Sequence, residues 1–244
     1  MASKKKQVGV IGYGRFGKIL CDILKKKYKV LIYDNSFNDK EIKFSDLNEV
    51  LDSHLVFVAV PIRAFEEVIG EISQHKLYNT TIVDVCSVKV YPVDIMKSYL
   101  EKHVGIIATH PHFGPDSYSP FRELKTTVYP VRDSYNRIEE VKNIFESESI
   151  RTISMSPDDH DRIAASSQGI THFIGRVLNE SGVRSTDINT LGFNELLGVI
   201  EQTCNDSWEL FKDLQKYNPY TNKMIDNLVN TIQKFHKEIK SDAD

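Results

Sequence analysis

The segment VGVIGYGRFGKILCDILKKKYKVLIYD, from Val8 to Asp34, decides how the chain is organised. Its apolar beginning predicts a buried strand, and Gly12, Gly14 and Gly17 follow it with the spacing G-x-G-x-x-G. Apolar residues then recur at helical spacing, and a second apolar run ends at Asp34. This order predicts a Rossmann-type dinucleotide-binding unit: a strand, a glycine turn, a helix and a second strand that ends at an acidic residue.

Each part of this segment has a defined role in binding a dinucleotide. Gly12 permits the tight turn, Gly14 lets the backbone approach a pyrophosphate, and Gly17 lets the helix pack closely on the strand. The phosphates are expected at the helix N-terminus, where N–H groups and the helix dipole favour anions. Asp34 is expected to bind the ribose hydroxyls of NAD and to repel the 2′-phosphate of NADP, so NAD is the expected cofactor and NADP the alternative. The expected cofactor contacts are Gly12, Tyr13, Gly14, Arg15, Phe16, Gly17, Asp34, Val60, Pro61 and Ser87.

The composition is that of an ordinary soluble protein. The chain has 244 residues, 41% hydrophobic residues and a net charge of −3, a balance that does not favour nucleic acid or an acidic membrane as a partner. No apolar run approaches the roughly 18 residues of a membrane span, and the basic start lacks the apolar segment of a secretory signal. Cys21, Cys86 and Cys204 are scattered without metal spacing, which suits a reducing compartment. We therefore expect a cytoplasmic protein.

Strand patterns continue through the first part of the chain and then stop. Further strands are predicted at residues 55–60, 81–85, 104–108, 126–131 and 150–155. The patterns that follow are helical, at residues 158–178, 188–215 and 220–239. We expect an α/β dinucleotide-binding domain at residues 1–155 and an all-helical substrate-binding and dimerisation domain at residues 156–244. A helical part of about 90 residues would bury little core alone, so a homodimer is expected.

Polar side chains follow two neighbouring strands of this predicted sheet. Ser87 and Lys89 follow residues 81–85, and His110 and His112 follow residues 104–108. The carboxyl ends of parallel strands face the crevice that holds the ligand. With an unperturbed pKa of about 6.5, His110 is suited to take a proton from a substrate hydroxyl while hydride leaves for the cofactor, and Ser87 to hydrogen-bond the same oxygen. A helix cap for Ser87, a solvated Lys89 and loop-packing histidines are the alternatives.

Five motifs occur in order along the chain: VDVCSVK, ATHPHFGP, HDRIAASSQGITHFIGRVL, STDINTLGFNELL and TCNDSWELFKDLQKYNP. Together they resemble the arogenate and prephenate dehydrogenases, most of all the short plant-type arogenate enzymes. The resemblance extends from the glycine turn to about Asn218. It implies that a cyclohexadiene ring is oxidised at its C4 hydroxyl and loses its carboxylate as CO2. Arogenate would give tyrosine, and prephenate would give 4-hydroxyphenylpyruvate.

The resemblance also implies roles for individual residues. His110 in THPHFGP matches the family's proton acceptor, and Ser87 in CSVK matches a serine near the ring hydroxyl and the nicotinamide. His172 in ITHF matches a histidine that faces the substrate from the helical domain. Asp206 in NDSWELF matches an acid near the ammonium group of arogenate, and an ordinary place in a first helical turn is its alternative.

The chain departs from the family pattern at several positions. His112 stands where HPMFGP has methionine, and Asp34 stands where plant-type enzymes that prefer NADP have a small or basic residue. We find no counterpart of the arginine motif by which many prephenate-specific members bind the substrate carboxylate; Lys89, Arg176 and Arg184 are candidates, or else surface charges. The expected substrate contacts are Lys89, His112, His172, Arg176 and Asp206. No metal-ligand cluster is evident, and we expect no metal.

Two other functions stay open at this point. One is a different reductase on the same two-domain plan, acting on a β-hydroxyacid, an imine or an acyl-CoA. The other is a catalytically silent nucleotide-binding protein that senses redox state. The presence of Ser87, His110 and Asp34 argues against the silent protein.

Overall fold

The computed structural model describes residues 5–36, 42–119 and 121–241. Their contacts divide the chain into two compact units, Met1–His160 and Asp161–Asp244. The sequence places the boundary slightly earlier, near residue 155, just before the helix that contains His160.

The first unit is built on a sheet that, over the described residues, has seven strands in the order β2-β1-β3-β4-β5-β6-β7. They are β1 (Gln7–Ile11), β2 (Lys29–Tyr33), β3 (Leu55–Val58), β4 (Thr81–Asp84), β5 (Gly105–Pro111), β6 (Leu124–Arg132) and β7 (Ile150–Ser154). β6 runs antiparallel to β5, and the other neighbouring strands of the described sheet are parallel. β3, β4 and β5 are buried along their whole length, as expected of central parallel strands covered on both faces.

Helices alternate with these strands: α1 (Arg15–Lys25), α2 (Leu47–Leu51), α3 (Phe65–Ile72), α4 (Val90–Tyr99), α5 (Ile138–Glu146) and α6 (Pro157–Ala164). A short 3-10 turn, Ile62–Ala64, precedes α3. The apolar residues of α1 recur at helical spacing, and Leu20, Cys21 and Leu24 are buried in the core of the unit.

The second unit contains helices and no strand among its described residues. After α6 comes a π-helical turn, Ala165–Gly169, and then α7 (Ile170–Glu180), α8 (Leu191–Cys204), α9 (Trp208–Lys216) and α10 (Thr221–Ser241). α7 packs closely on α8 because Gly175 has no side chain; a Cβ there would lie 2.1 Å from Thr203 Oγ1. In the parts of the chain that the structure describes, no helix is both long and apolar enough to cross a membrane.

This architecture confirms the predicted α/β dinucleotide-binding unit with an all-helical C-terminal part. β5 is longer than predicted, because β6 runs beside it and pairs His110 with Thr127 and Pro111 with Thr126. His110 therefore belongs to the end of a strand and not to the loop that the sequence indicated.

Candidate active site

The glycine turn has the geometry that a bound pyrophosphate requires. Gly12 has a φ of +99°, and a Cβ there would lie 2.4 Å from the carbonyl oxygen of Ala59. A Cβ at Gly17 would lie 2.2 Å from the carbonyl oxygen of Gly12. Nothing lies within 4 Å of a Cβ built at Gly14, which is the N-cap of α1 and offers no side-chain cap. The turn is thus closed on its inner side and open where a phosphate would approach the helix N-terminus.

The position of this turn in the sheet also fits a ligand site. β1 lies between β2 and β3, so the chain leaves β1 on one side and returns on the other. The loop that follows β1 therefore lies at the switch point of the sheet, where open α/β sheets bind ligands. Val60, just after β3, borders the same turn, since its Cγ1 would lie 3.1 Å from a Cβ at Gly12. Pro61 follows as the N-cap of the 3-10 turn.

Asp34 is fixed beside the glycine turn by backbone and side-chain donors. Tyr13 donates its main-chain N–H to Asp34 Oδ2 at 2.6 Å. Ser36 donates both its N–H and its hydroxyl to Oδ1, each at 2.9 Å. The carboxylate therefore has a defined orientation at the end of β2, where a ribose is expected.

The exposed side of the turn contacts the segment that follows β5. Arg15 Nη2 lies 2.9 Å from both carboxylate oxygens of Asp116. The ring of Phe16 lies 6.1 Å from that of Phe113, measured between centroids. These two pairs join the start of α1 to the HPHFGPD segment, and so bring two of the sequence motifs together.

His110 lies at the buried end of β5, with an exposed fraction of only 2%. Its Nδ1 is 2.8 Å from Nε2 of His160, which lies on α6. Burial, with the nearby His112, His160 and Lys89 as lesser causes, holds the pKa of His110 well below its ordinary 6.5. The ring is therefore neutral at physiological pH, as a general base must be before it accepts a proton.

His160 is a residue of the site that sequence reasoning missed. It lies in the HDRIAASS motif, where no role was assigned to it. Fifty positions separate it from His110, and only the packing of α6 against the end of β5 joins them. The spacing within the sequence contains no signal of this contact.

His112 extends the strand pairing beyond β5. Its main-chain N–H donates to the Lys125 carbonyl at 2.9 Å, and its Nε2 lies 2.7 Å from Thr127 Oγ1. The centroid of its ring is 4.3 Å from that of His110 and 5.8 Å from that of His160. Desolvation, followed by His160 and the lysines nearby, lowers its pKa to about 4. The fold thus gathers three histidines, although the sequence shows no metal-ligand spacing.

Lys89 is buried and holds the end of β4. Its Nζ donates to Asp84 Oδ1 and, at 2.6 Å, to the carbonyl oxygen of Thr109. Burial raises the pKa of Asp84 and the Lys89 ammonium opposes that rise. The solvated alternative for Lys89 is therefore wrong, and its contact with a substrate stays a prediction. Ser87 is half-buried in the same turn and does not cap α4, whose N-cap is Lys89.

In the second unit, three predicted substrate contacts lie close together. Arg176 Nη2 donates to the main-chain carbonyl of Asp206, and its guanidinium lies 5.6 Å from the ring centroid of Trp208. Burial lowers the pKa of His172, the Asp206 carboxylate raises it, and Arg176 lowers it further. Nδ1 of His172 and Nε of Arg176 are buried without a hydrogen-bond partner among the described residues. Such atoms are uncommon in folded proteins, and a polar ligand would satisfy them. Arg184, by contrast, donates to the carbonyl of Val183, its neighbour in the chain, at 2.6 Å.

These features define a class of protein. A glycine turn at the switch point, an acid at the end of β2 and a helical second unit are the architecture of the dinucleotide-dependent dehydrogenases and reductases. Comparison with known proteins identifies the family. Residues 34–153 match the family "Prephenate dehydrogenase, nucleotide-binding domain", and residues 177–244 match "TYRAAT1-like, C-terminal domain". The chain belongs to the arogenate and prephenate dehydrogenase family.

Individual relatives agree with this assignment. The chain is 34% identical to arogenate dehydrogenase 2, chloroplastic, of Arabidopsis thaliana, over 97% of this chain and 71% of that protein. It is 32% identical to arogenate dehydrogenase 1 of the same plant, over 96% of this chain and 38% of that longer protein. A crystal structure of prephenate dehydrogenase from A. aeolicus, in complex with hydroxyphenyl propionate and NAD+, has the same fold, with a TM-score of 0.75 and 18% identity. The structural match covers 93% of the A. aeolicus chain and 100% of this chain.

Proposed function

We propose that this protein is an NAD-dependent arogenate dehydrogenase, which converts arogenate to tyrosine and CO2. The observation that carries the proposal is His110: a buried, neutral histidine, held by His160, within the nucleotide-binding unit of this family. The names of the two Arabidopsis relatives support arogenate as the substrate. Prephenate, which would give 4-hydroxyphenylpyruvate, is the alternative.

His110 acts as the general base of the proposed reaction. Its Nδ1 is engaged with His160, so Nε2 is the atom that accepts the proton of the ring hydroxyl. When bound, NAD+ supplies the acceptor for the hydride that leaves C4. Ser87, half-buried in the turn after β4, would hydrogen-bond the oxygen as it becomes a carbonyl. The bond between the ring and its carboxylate then breaks and CO2 leaves. The electron pair of that bond completes the aromatic ring, and the phenolate oxygen takes back the proton held by His110.

The cradle for the cofactor is made by residues of this chain. Gly12 and Gly17 close the turn, and Gly14 leaves it open to the pyrophosphate. The other proposed contacts around the turn are Tyr13, Arg15, Phe16, Val60 and Pro61. Asp34 would accept hydrogen bonds from the ribose hydroxyls, and its negative charge favours NAD over NADP because it repels the 2′-phosphate.

The substrate side chain is assigned to the second unit. His172, Arg176 and Asp206 are close to one another, and two buried nitrogens of His172 and Arg176 have no hydrogen-bond partner among the described residues. Arg176 is suited to bind a carboxylate, and Asp206 to bind the ammonium group that distinguishes arogenate from prephenate. Lys89 and His112 are the substrate contacts that we propose in the first unit.

We further propose that the protein is a cytoplasmic homodimer. Four large apolar side chains of α10 are exposed at positions that share one helix face: Val229, Ile232, Phe235 and Ile239. An apolar stripe of this kind favours association with a second copy.

A steady-state assay that crosses arogenate and prephenate with NAD and NADP tests the proposed function. We expect the highest kcat/KM for arogenate with NAD, measured by the appearance of NADH and of tyrosine. Turnover of prephenate alone would favour the alternative. Turnover of neither arogenate nor prephenate would contradict the proposal. Consumption of an imine or a β-hydroxyacid would then favour another reductase, and no turnover at all would favour the silent redox sensor.

A further inference from the structure

The three histidines near the end of β5 form a cluster with a geometry that proton transfer by His110 does not itself require. His110, His112 and His160 each offer a ring nitrogen, and these atoms all lie within 4.8 Å of one another. His110 and His160 are 2% exposed, while His112 is exposed. A buried pair with a third imidazole at the surface is both preorganised and accessible from solvent.

We propose that His110, His112 and His160 form a binding site for a divalent transition-metal ion of the Zn²⁺ class. Neutral imidazole is a preferred ligand of Zn²⁺ and of its neighbours Co²⁺, Ni²⁺ and Cu²⁺. Three protein ligands leave a fourth position for water, as in open tetrahedral sites. Mg²⁺ and Ca²⁺ are not expected, because they prefer oxygen ligands and this cluster supplies nitrogen.

The distances fit such an ion after a small adjustment. Zn–N bonds of about 2.0–2.1 Å in a tetrahedron place the ligand nitrogens roughly 3.3–3.4 Å apart. Nδ1 of His110 and Nε2 of His160 are 2.8 Å apart and need to separate slightly. The N–H now shared by this pair moves to the other nitrogen of its own ring, so that both lone pairs face the ion. His112 is held at Nε2 by Thr127 Oγ1 and moves inward from its exposed position.

The site has a consequence for activity that rests on the proposed function. An ion bound by His110 occupies the base or removes the lone pair that the reaction needs. Micromolar Zn²⁺ is therefore expected to inhibit the enzyme reversibly, and a chelator to restore it. The cluster is then a metal-sensitive element of the active site and not a catalytic metal centre.

Calorimetric titration of the protein with ZnCl2 tests the binding directly. We expect one Zn²⁺ per chain, and titration with CoCl2 to give the visible absorption bands of four-coordinate Co²⁺. His112→Gln is expected to weaken binding by more than about 100-fold, because loss of an outer partner alone costs roughly 10–100-fold. His236→Gln, an exposed histidine of α10, is the matched control and should bind like the native protein. His160→Gln provides a second ligand variant.

Binding and activity are separate readouts, so the two proposals fail separately. Two results would overturn the metal site. One is the absence of Zn²⁺ binding in a protein with a native circular dichroism spectrum. The other is Zn²⁺ binding with an affinity that neither His112→Gln nor His160→Gln changes. Stoichiometric binding that these variants weaken, in a protein without activity on arogenate or prephenate, would support the metal site and contradict the proposed function.

Discussion

Nδ1 of His110 lies 2.8 Å from Nε2 of His160, and both rings are almost completely buried. Two ring nitrogens at this distance share one proton, so one ring donates and the other accepts. When His110 donates, its Nε2 has a lone pair that can accept a proton from a substrate. The contact between His110 and His160 accommodates the tautomer on which the proposed chemistry depends, with the proton on Nδ1 of His110.

Replacing the base should affect turnover more than cofactor binding. His110→Ala is expected to lower kcat by about 10² to 10⁴-fold, the usual contribution of general acid–base catalysis. The dissociation constant of NADH should change little, because the glycine turn around Gly12 and Gly14 is untouched. Stopped-flow turnover and a fluorescence titration with NADH measure the two quantities. A variant that retains near-native kcat would contradict the assignment.

The buried histidines should make stability dependent on pH. The folded-state pKa of His110 is lowered from 6.5, so the unfolded chain binds more protons than the folded protein below about pH 6.5. The free energy of unfolding should be fully retained above that pH and fall as the pH decreases towards the lowered pKa. Urea denaturation at a series of pH values from 7.5 to 5 measures the slope.

A variant comparison assigns this slope to the cluster. His110→Gln should reduce the dependence on pH, whatever it does to stability at pH 7.5, because it removes a group whose pKa is lowered in the folded state. His236→Gln, exposed on α10, should leave the slope unchanged. Equal slopes in all three proteins would show that His110 does not carry the effect.

Asp34 should determine the choice of cofactor. Asp34→Ser removes the negative charge that would meet a 2′-phosphate, and the ratio of kcat/KM for NADP to that for NAD is expected to rise by about tenfold or more. Asp116→Asn, which alters the partner of Arg15 and not the ribose site, is the matched control. If the native protein uses NADP as well as NAD, the interpretation of Asp34 is wrong.

The sequence predicts the first unit well because local signals coincide there. Apolar runs, glycine spacing and helical periodicity all point to the same β-α-β segment, and the structure has β1, α1 and β2 there. The predicted end of β5 was wrong for a non-local reason. β6 pairs with it in the antiparallel direction, and that partner extends the strand through His110 to Pro111.

The candidate site is less visible from the sequence, since packing creates it. His160 reaches His110 only through the placement of α6, and the π-helical turn Ala165–Gly169 interrupts what reads as one continuous helix. Lys89 follows a strand end and resembles a solvent-facing charge, yet it is buried against Asp84. These contacts join residues whose partners no local pattern specifies.

The apolar face of α10 should control association. Ile232 and Phe235 are 53% and 56% exposed, so Ile232→Glu and Phe235→Glu together would place two charges in the proposed dimer contact. We expect the native protein to be a dimer by light scattering at micromolar concentration and the double variant to be largely monomeric. Asn230→Glu, exposed on the opposite face of the same helix, should remain dimeric. A native monomer would contradict the prediction.

Asp206 should determine the choice between the two substrates. Asp206→Asn removes the carboxylate that would pair with the ammonium group of arogenate, but keeps the main-chain carbonyl that accepts from Arg176. A charge-assisted hydrogen bond contributes roughly 1.5–3 kcal/mol, which corresponds to about 10 to 100-fold in kcat/KM. The variant should therefore lose activity on arogenate and gain it on prephenate, whose neutral keto group makes no charge-assisted bond to the native carboxylate.

A control and a second readout separate this role from a structural one. Glu209→Gln removes an exposed carboxylate from the first turn of α9 and should leave the substrate preference unchanged. Because the Asp206 carboxylate raises the pKa of His172, the Asn variant should lower that pKa further, as measured by NMR titration of the ring protons. A different outcome is that the pKa of His172 falls while kcat/KM changes by the same factor for arogenate and prephenate. In that case Asp206 acts on His172 alone, and its carboxylate does not determine the preference for arogenate.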